Sequence, residues 1–255
     1  MNTDKKSLLH RILYFVLPVL LVTFWEVYSR KGLISQAIFP MPSKLVEAFK
    51  KLLDNGRLWS NLSISLQRVL KGFAFGSVIG ILVGILMGLF RGINSLLSSL
   101  VSIFRPIPIV AWIPLFIVLM GIGEKPKVTM IAVGAFWPLL LNTIHGIQTV
   151  DRKLIDMARI HQKSKVEILF KIILPSALPS IFTGMKLGIA TSWSAVVAAE
   201  MLAANKGIGY MIQYARELAQ QSTMLVGVFV IGFIGILIDL ILSFLQKRIV
   251  YWNKR

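Results

Sequence analysis

The chain has 255 residues, 56% of them hydrophobic and only 15% charged, with a mean hydropathy of +0.74; one soluble core does not consume that much apolar material, so a lipid-facing surface is implied. Lys and Arg number 28 against 11 Asp and Glu, and they gather between the apolar stretches, which suits membrane lipid headgroups and argues against nucleic acid as a partner. With no cysteine there are no disulfides, thiolate metal sites or cysteine nucleophiles, and His10, His145 and His161 lack metal-ligand spacing.

A helix needs roughly 20 apolar residues to cross the hydrocarbon layer. Six segments meet that need, so the expected fold class is all-α, a polytopic membrane protein of about six transmembrane helices. The first runs from Ile12 to Tyr28. Lys5, Lys6 and Arg11 precede it as in a secretory leader, but the run continues through Phe24, Trp25 and Glu26 without a small-x-small cleavage site, which reads as a retained span. Phe39-Pro-Met-Pro-Ser43 then breaks the chain, and Ser43 is expected to cap an amphipathic surface helix from Lys44 to Leu53, ending near Asn55-Gly56.

The second span, Gly72 to Phe90, carries Gly72, Gly76, Gly80, Gly84 and Gly88 in strict steps of four. Residues at that spacing share a face, so the missing side chains form a groove for close packing of another helix, of this chain or of a second copy. The third span, Pro106 to Gly123, contains Pro106, Pro108 and Pro114, and the fourth, Val128 to Val150, contains Pro138. Each proline removes a donor and bends its helix, and bent helices leave room for a water-filled path where freed carbonyls find partners.

The fifth span, Ile181 to Ala203, is interrupted by Lys186 and Glu200, and the sixth runs from Leu225 to Leu245. On the fifth, Thr191, Ser192, Trp193 and Ser194 lie mid-span, and Glu200 follows Trp193 by seven residues on about the same face. They are the candidate lining of a translocation path or its outer gate; alternatively the hydroxyls bond neighbouring helices and Glu200 sits at headgroup level. With no low-complexity stretch or linker, residues 1–255 read as a single membrane domain.

The longest strongly basic loop, Asp151 to Lys171, belongs in the cytoplasm by the positive-inside rule, and counting spans outward places both termini there too. The terminal residues Lys5, Lys6, Arg11, Lys247, Arg248, Lys254 and Arg255 agree, although the external loop from Arg30 to Ser60 is also basic. Within the cytoplasmic loop, Leu154, Ile155, Met157, Ala158 and Ile160 give one short helix an apolar face, and Ser164 with Glu167 forms a capping box opening a second. Two short helices joined near Gln162 and Lys163 make a knob suited to a partner's groove.

This loop, about 151–175, resembles the coupling loop of ATP-binding-cassette importer permeases, whose pattern is Glu-Ala-Ala, three residues, Gly, nine residues, then Ile-x-Leu-Pro. The matching residues are Asp156-Met157-Ala158, Gln162 and Ile172-Ile173-Leu174-Pro175, with spacing intact and with Asp for Glu, Met for Ala and Gln for Gly. The Gln departure implies a looser turn, because a left-handed conformation outside glycine costs on the order of 1 kcal/mol. Pro40-Met-Pro-Ser43, Arg105-Pro-Ile-Pro108, Ile113-Pro-Leu-Phe116, Gly121-Ile-Gly-Glu124, Thr183-Gly-Met-Lys186 and Trp193 through Ala199-Glu-Met-Leu202 are similar to the permeases for nitrate, taurine and alkanesulfonates.

The resemblance implies a permease subunit in a bacterial cytoplasmic membrane, carrying a small anionic solute. It also implies a second permease copy in a homodimer, two ATPase subunits and an extracytoplasmic substrate-binding protein. Asp156, Met157, Ala158, Arg159, Gln162, Leu174 and Pro175 would then couple to the ATPase. The chain itself has no Gly-x4-Gly-Lys-[Ser/Thr] loop, so it is not expected to be an enzyme or to bind a cofactor directly; ATP would be used by the partner. The alternative, an ion-gradient-driven secondary transporter, wants several intramembrane carboxylates, and only Glu26, Glu200 and Asp239 are candidates.

Overall fold

Apolar runs and their proline and glycine breaks set the elements of the computed structural model, which describes residues 3–250, with side chains of the first helix from Val16 onward. The side chains of Lys5, Lys6, His10 and Arg11, and all of Lys254 and Arg255, lie outside that part. The helices are α1 (Thr3–Arg30), α2 (Pro42–Asp54), α3 (Arg57–Leu89), α4 (Arg91–Phe104), α5 (Ile113–Met120), α6 (Glu124–Gln148), α7 (Arg152–Ile160), α8 (Lys165–Ile168), α9 (Leu174–Ala203), α10 (Ile208–Glu217) and α11 (Gln221–Ile249). A 3-10 turn, Ile109–Trp112, precedes α5, and a π-helical turn, Leu169–Ile173, joins α8 to α9. No strand occurs among the described residues.

Four stretches are long and apolar enough to cross a membrane: Arg57–Leu89, Glu124–Gln148, Lys165–Ala203 and Gln221–Ile249. A fifth arises if α4 and Ile109–Met120, bent by 91° at their break, count as one span. The third expected span is therefore not a straight segment from Pro106 to Gly123. Its apolar run starts at Arg91, and Arg105-Pro-Ile-Pro108 turns the chain sharply because neither proline can continue a helix bonded to the preceding turn.

The chain divides into two compact units, Met1–Ser60 with Met211–Val230, and Asn61–Tyr210 with Ile231–Arg255. In the first unit, Leu17, Val19, Leu20 and Leu21 of α1 are 59–63% exposed, as a lipid-facing helix requires. The expected cap of α2 is corrected: Pro42 occupies the first turn with Met41 at the N-cap, and proline's fixed φ suits that place. Ser43 instead donates from N and Oγ to the Glu26 carboxylate at 3.1 and 3.0 Å. Glu26 also accepts from Arg30 Nε at 2.7 Å, so this carboxylate ties α1 to the start of α2.

In the second unit α6 lies between α3 and α9. All five ladder glycines of α3 face α6 in ascending order: a Cβ on Gly72 would stand 2.6 Å from Ile131, one on Gly80 2.9 Å from Phe136 O, one on Gly84 2.7 Å from Thr143 and one on Gly88 2.9 Å from Ile147. On Gly76 it would overlap the Ala132 carbonyl. The groove thus receives a helix of the same chain, running parallel. On the other side of α6 the order reverses, with Gly134 against Thr191 and Ser192, Gly188 against Ala135, Gly184 against Pro138 and Asn142, and Gly146 against Ala177 and Ser180. Small residues on both sides let three backbones approach closely, which is how helices associate where lipid removes the hydrophobic drive.

Candidate coupling site and translocation face

Asp151 caps α7 by accepting from the Lys153 N–H at 2.9 Å. The helix ends on Gln162, whose φ is 54°. Lys163 N–H donates to Ala158 O at 3.0 Å and Gln162 N–H to Arg159 O at 2.9 Å. This is a complete Schellman turn, made without the glycine that favours it, so the turn is not loosened by the substitution. Ser164 and Glu167 then form the reciprocal capping box of α8. Pro175 has no N–H to continue the α pattern, and the Leu174 N–H reaches Leu169 O across the widened π turn.

Leu154, Met157 and Ile160 are 46, 57 and 79% exposed, whereas Ala158 is 8% exposed. The expectation that Ala158 faces a partner is corrected: it turns toward its own chain, and the outward apolar stripe is Leu154, Met157 and Ile160. Asp156 and Arg159 are exposed and pair loosely at 3.3 Å, a contact worth little in water. Leu174 and Pro175 are half-buried at the root of α9.

The polar residues of α9 divide in two. Ser192 and Trp193 are buried and bond within the bundle, Ser192 Oγ to Ile131 O at 3.1 Å and Trp193 Nε1 to Ile231 O at 3.1 Å. Thr191 and Ser194, with Leu187, Ala190, Ile109 and Val110, line an open cavity of about 300 Å³. Thr191 Oγ1 also donates to Gly134 O at 2.6 Å. That carbonyl is the one Pro138 leaves without its helical donor, so the α9 hydroxyl replaces the missing N–H.

Glu200 has no exposed surface and does not line that cavity. Its carboxylate accepts from Arg68 Nη1 at 2.8 Å, Ser65 Oγ at 2.8 Å and Gly209 N–H at 2.9 Å. Arg68 continues to Lys206 O at 2.7 Å, and its Nε and Nη2 hold the two Glu124 oxygens at 2.7 and 2.6 Å. Lys127 Nζ joins Glu124 at 2.8 Å. Ser65 Oγ accepts from Ile208 N–H, and Asn61 Oδ1 from Gly207 N–H. Gly207 has a φ of 120°, and a Cβ there would fall on the Glu200 carboxylate. Two cations and two anions therefore pin the 204–209 loop to α3, at the end of the α3–α6–α9 bundle opposite α7.

Arg68, Ser65, Glu124 and Lys127 were not candidates on sequence. A signal existed: Arg68 stands one step of four before Gly72, so it extends the glycine face, and a charge on the packed face of an apolar helix demands a partner.

Residues 76–251 match the family model described as "Binding-protein-dependent transport system inner membrane component". The chain is 38% identical over 253 residues, 99% of its length and 96% of the relative's, to SsuC of Escherichia coli (strain K12), named for aliphatic sulfonates transport. It is 33% identical to the nitrate import permease protein NrtB of Synechocystis sp. (strain ATCC 27184 / PCC 6803 / Kazusa) over 92% of this chain and 87% of the relative. Among solved structures, a chain of the MetNI methionine ABC transporter in an inward-facing conformation superposes with a TM-score of 0.63 at 22% identity, covering 75% of this chain and 93% of that one; at that identity the likeness speaks for the fold. The chain belongs to the family of binding-protein-dependent transport system inner membrane components.

Proposed function

We propose that residues 1–255 act as one permease domain importing a small oxoanion, an alkanesulfonate, taurine or nitrate. It works as a homodimer with two ATPase subunits that consume the ATP and with an external binding protein. The observation that carries this reading is the knob of α7 and α8, a short helix whose stripe of Leu154, Met157 and Ile160 is left exposed by the described residues; exposed apolar residues on a rigid, capped turn suit a partner's groove. Its basic residues, by the positive-inside bias, support a cytoplasmic position for it and for both termini. The substrate class follows from relatives named for sulfonates and nitrate.

On this reading the open face of α9, with Thr191 and Ser194 beside Ile109 and Val110, borders the translocation path between two copies. Ser192, Trp193 and Glu200 support that face from behind. Of the three candidate carboxylates for an ion-coupled mechanism, Glu26 and Glu200 are committed to Arg30 and Arg68, which leaves Asp239. The test is reconstitution of the full chain in liposomes with a cognate ATPase and binding protein. Uptake of labelled taurine, alkanesulfonate or nitrate should require ATP and the binding protein and survive collapse of ion gradients. Uptake that follows the gradients and ignores ATP would refute the reading.

A further inference from the structure

Apolar helices do not bury cations without partners. Arg68 and Lys127 are each 4% exposed, and both close on the Glu124 carboxylate, Arg68 with two parallel bonds of 2.7 and 2.6 Å and Lys127 at 2.8 Å. The Glu124 side chain itself is 61% exposed. The four charges therefore fall into a fixed half and a loose half. Glu200, fully buried, cannot leave without stranding Arg68, Ser65 and the Gly209 N–H. Glu124 reaches in from solvent at the first residue of α6, beyond Gly121 and Gly123, which have open space around them; its own carboxylate regains water on turning out, but the buried Arg68 and Lys127 then need another anion in its place.

Among the described residues, the hydrogen bonds from the Nε/Nη2 edge of Arg68 go to Glu124. If it swings away, a guanidinium fork and an ammonium are left side by side, the pairing that receives two oxygens of one oxoanion. A void lined by Lys127 measures about 10 Å³, so an arriving anion would take the place of the Glu124 carboxylate. The exchange also keeps the buried part of the cluster electrically balanced.

We propose that Arg68 and Lys127 form an oxoanion site in which Glu124 is the resident, displaceable occupant, and that a soluble sulfonate-type anion exchanges with it. The inference rests on the import reading for which anion arrives; the site itself rests on the four side chains. Arg68 and Lys127 are binding residues here, Glu124 an internal competitor and Glu200 a positioning residue.

The test follows thermal unfolding of the full-length protein in detergent as sodium methanesulfonate is added, against sodium chloride at equal ionic strength. Removing the competitor in Glu124→Gln should tighten the apparent Kd for methanesulfonate at least tenfold, and adding Lys127→Met should loosen it at least tenfold again. If Glu124→Gln is not recovered folded, Glu124→Asp, whose shorter side chain weakens the resident pair, should move the Kd in the same direction. No methanesulfonate shift beyond that of chloride, or one untouched by Lys127→Met, would overturn the proposal. So would protection by phosphatidylglycerol but not by methanesulfonate, which would assign the cations to a lipid headgroup. ATP-driven oxoanion uptake without any anion-specific shift would sink this site alone, whereas the shift without uptake would sink only the import reading.

Discussion

Replacing Arg68 by Met should be among the most damaging single changes in the chain, because it strands Glu200. That carboxylate has no exposed surface, and among the described residues its cationic partner is Arg68, with Nη1 at 2.8 Å. Removing one member of a buried pair costs about 3–5 kcal/mol, since the remaining charge keeps its desolvation penalty. Ser65 Oγ and the Gly209 N–H still donate to Glu200, which sets the expectation at the lower end, about 3 kcal/mol. The double variant Arg68→Met with Glu200→Gln tests the cause. It leaves Lys127 and Glu124 as a matched pair at 2.8 Å and no uncompensated buried charge. It should recover more than half of the single-variant loss, a coupling of about 2 kcal/mol. The assay is unfolding of the purified protein in mixed micelles, followed by tryptophan fluorescence. A loss below about 1 kcal/mol for Arg68→Met, or strictly additive losses in the double variant, would refute the reasoning.

The glycine groove gives a graded expectation. Gly76→Ala should abolish assembly of the folded chain, because its Cβ overlaps the Ala132 carbonyl, while Gly80→Ala, at 2.9 Å from Phe136 O, should fold with reduced stability; monodisperse yield in detergent separates the two, and equal yields would mean α6 does not occupy the groove. Thr191→Val keeps the shape of the side chain but leaves Gly134 O without the hydroxyl donor at 2.6 Å. It should cost about 1–3 kcal/mol, and Thr191→Ser should restore most of it; equal stability of the Val and Ser variants would show that the freed carbonyl finds another donor.

Local spacing carried much of the architecture. The capping box at Ser164 and Glu167 and the turn at Gln162 are properties of adjacent residues, and they appear at those places; of the six expected spans, four fall on helices long and apolar enough to cross a membrane. The prolines at 106 and 108 announced a bend, but a kinked span and a chain turned by 91° share one signal. Ser43 lost its capping role to Pro42 and Glu26, the latter 17 residues away. In α7, apolar residues occupy two sides of a nine-residue helix, and only packing decides that Ala158 turns in and Met157 turns out. The Arg68 cluster was least legible, since its partners lie 56 and 132 residues off and pair through helix packing that no short motif encodes.

The docking role of α7 is tested most directly by Met157→Asp and Ile160→Asp in the full transporter. Both side chains are more than half exposed, so the spans should insert and fold as in the wild type. An added carboxylate in an apolar contact must be desolvated without a partner, a penalty of several kcal/mol, roughly a hundredfold or more in affinity. Co-purification of the ATPase and substrate-stimulated ATP hydrolysis should both fall away while the permease remains monodisperse. Full ATPase recovery and full stimulated hydrolysis in both variants would contradict the account.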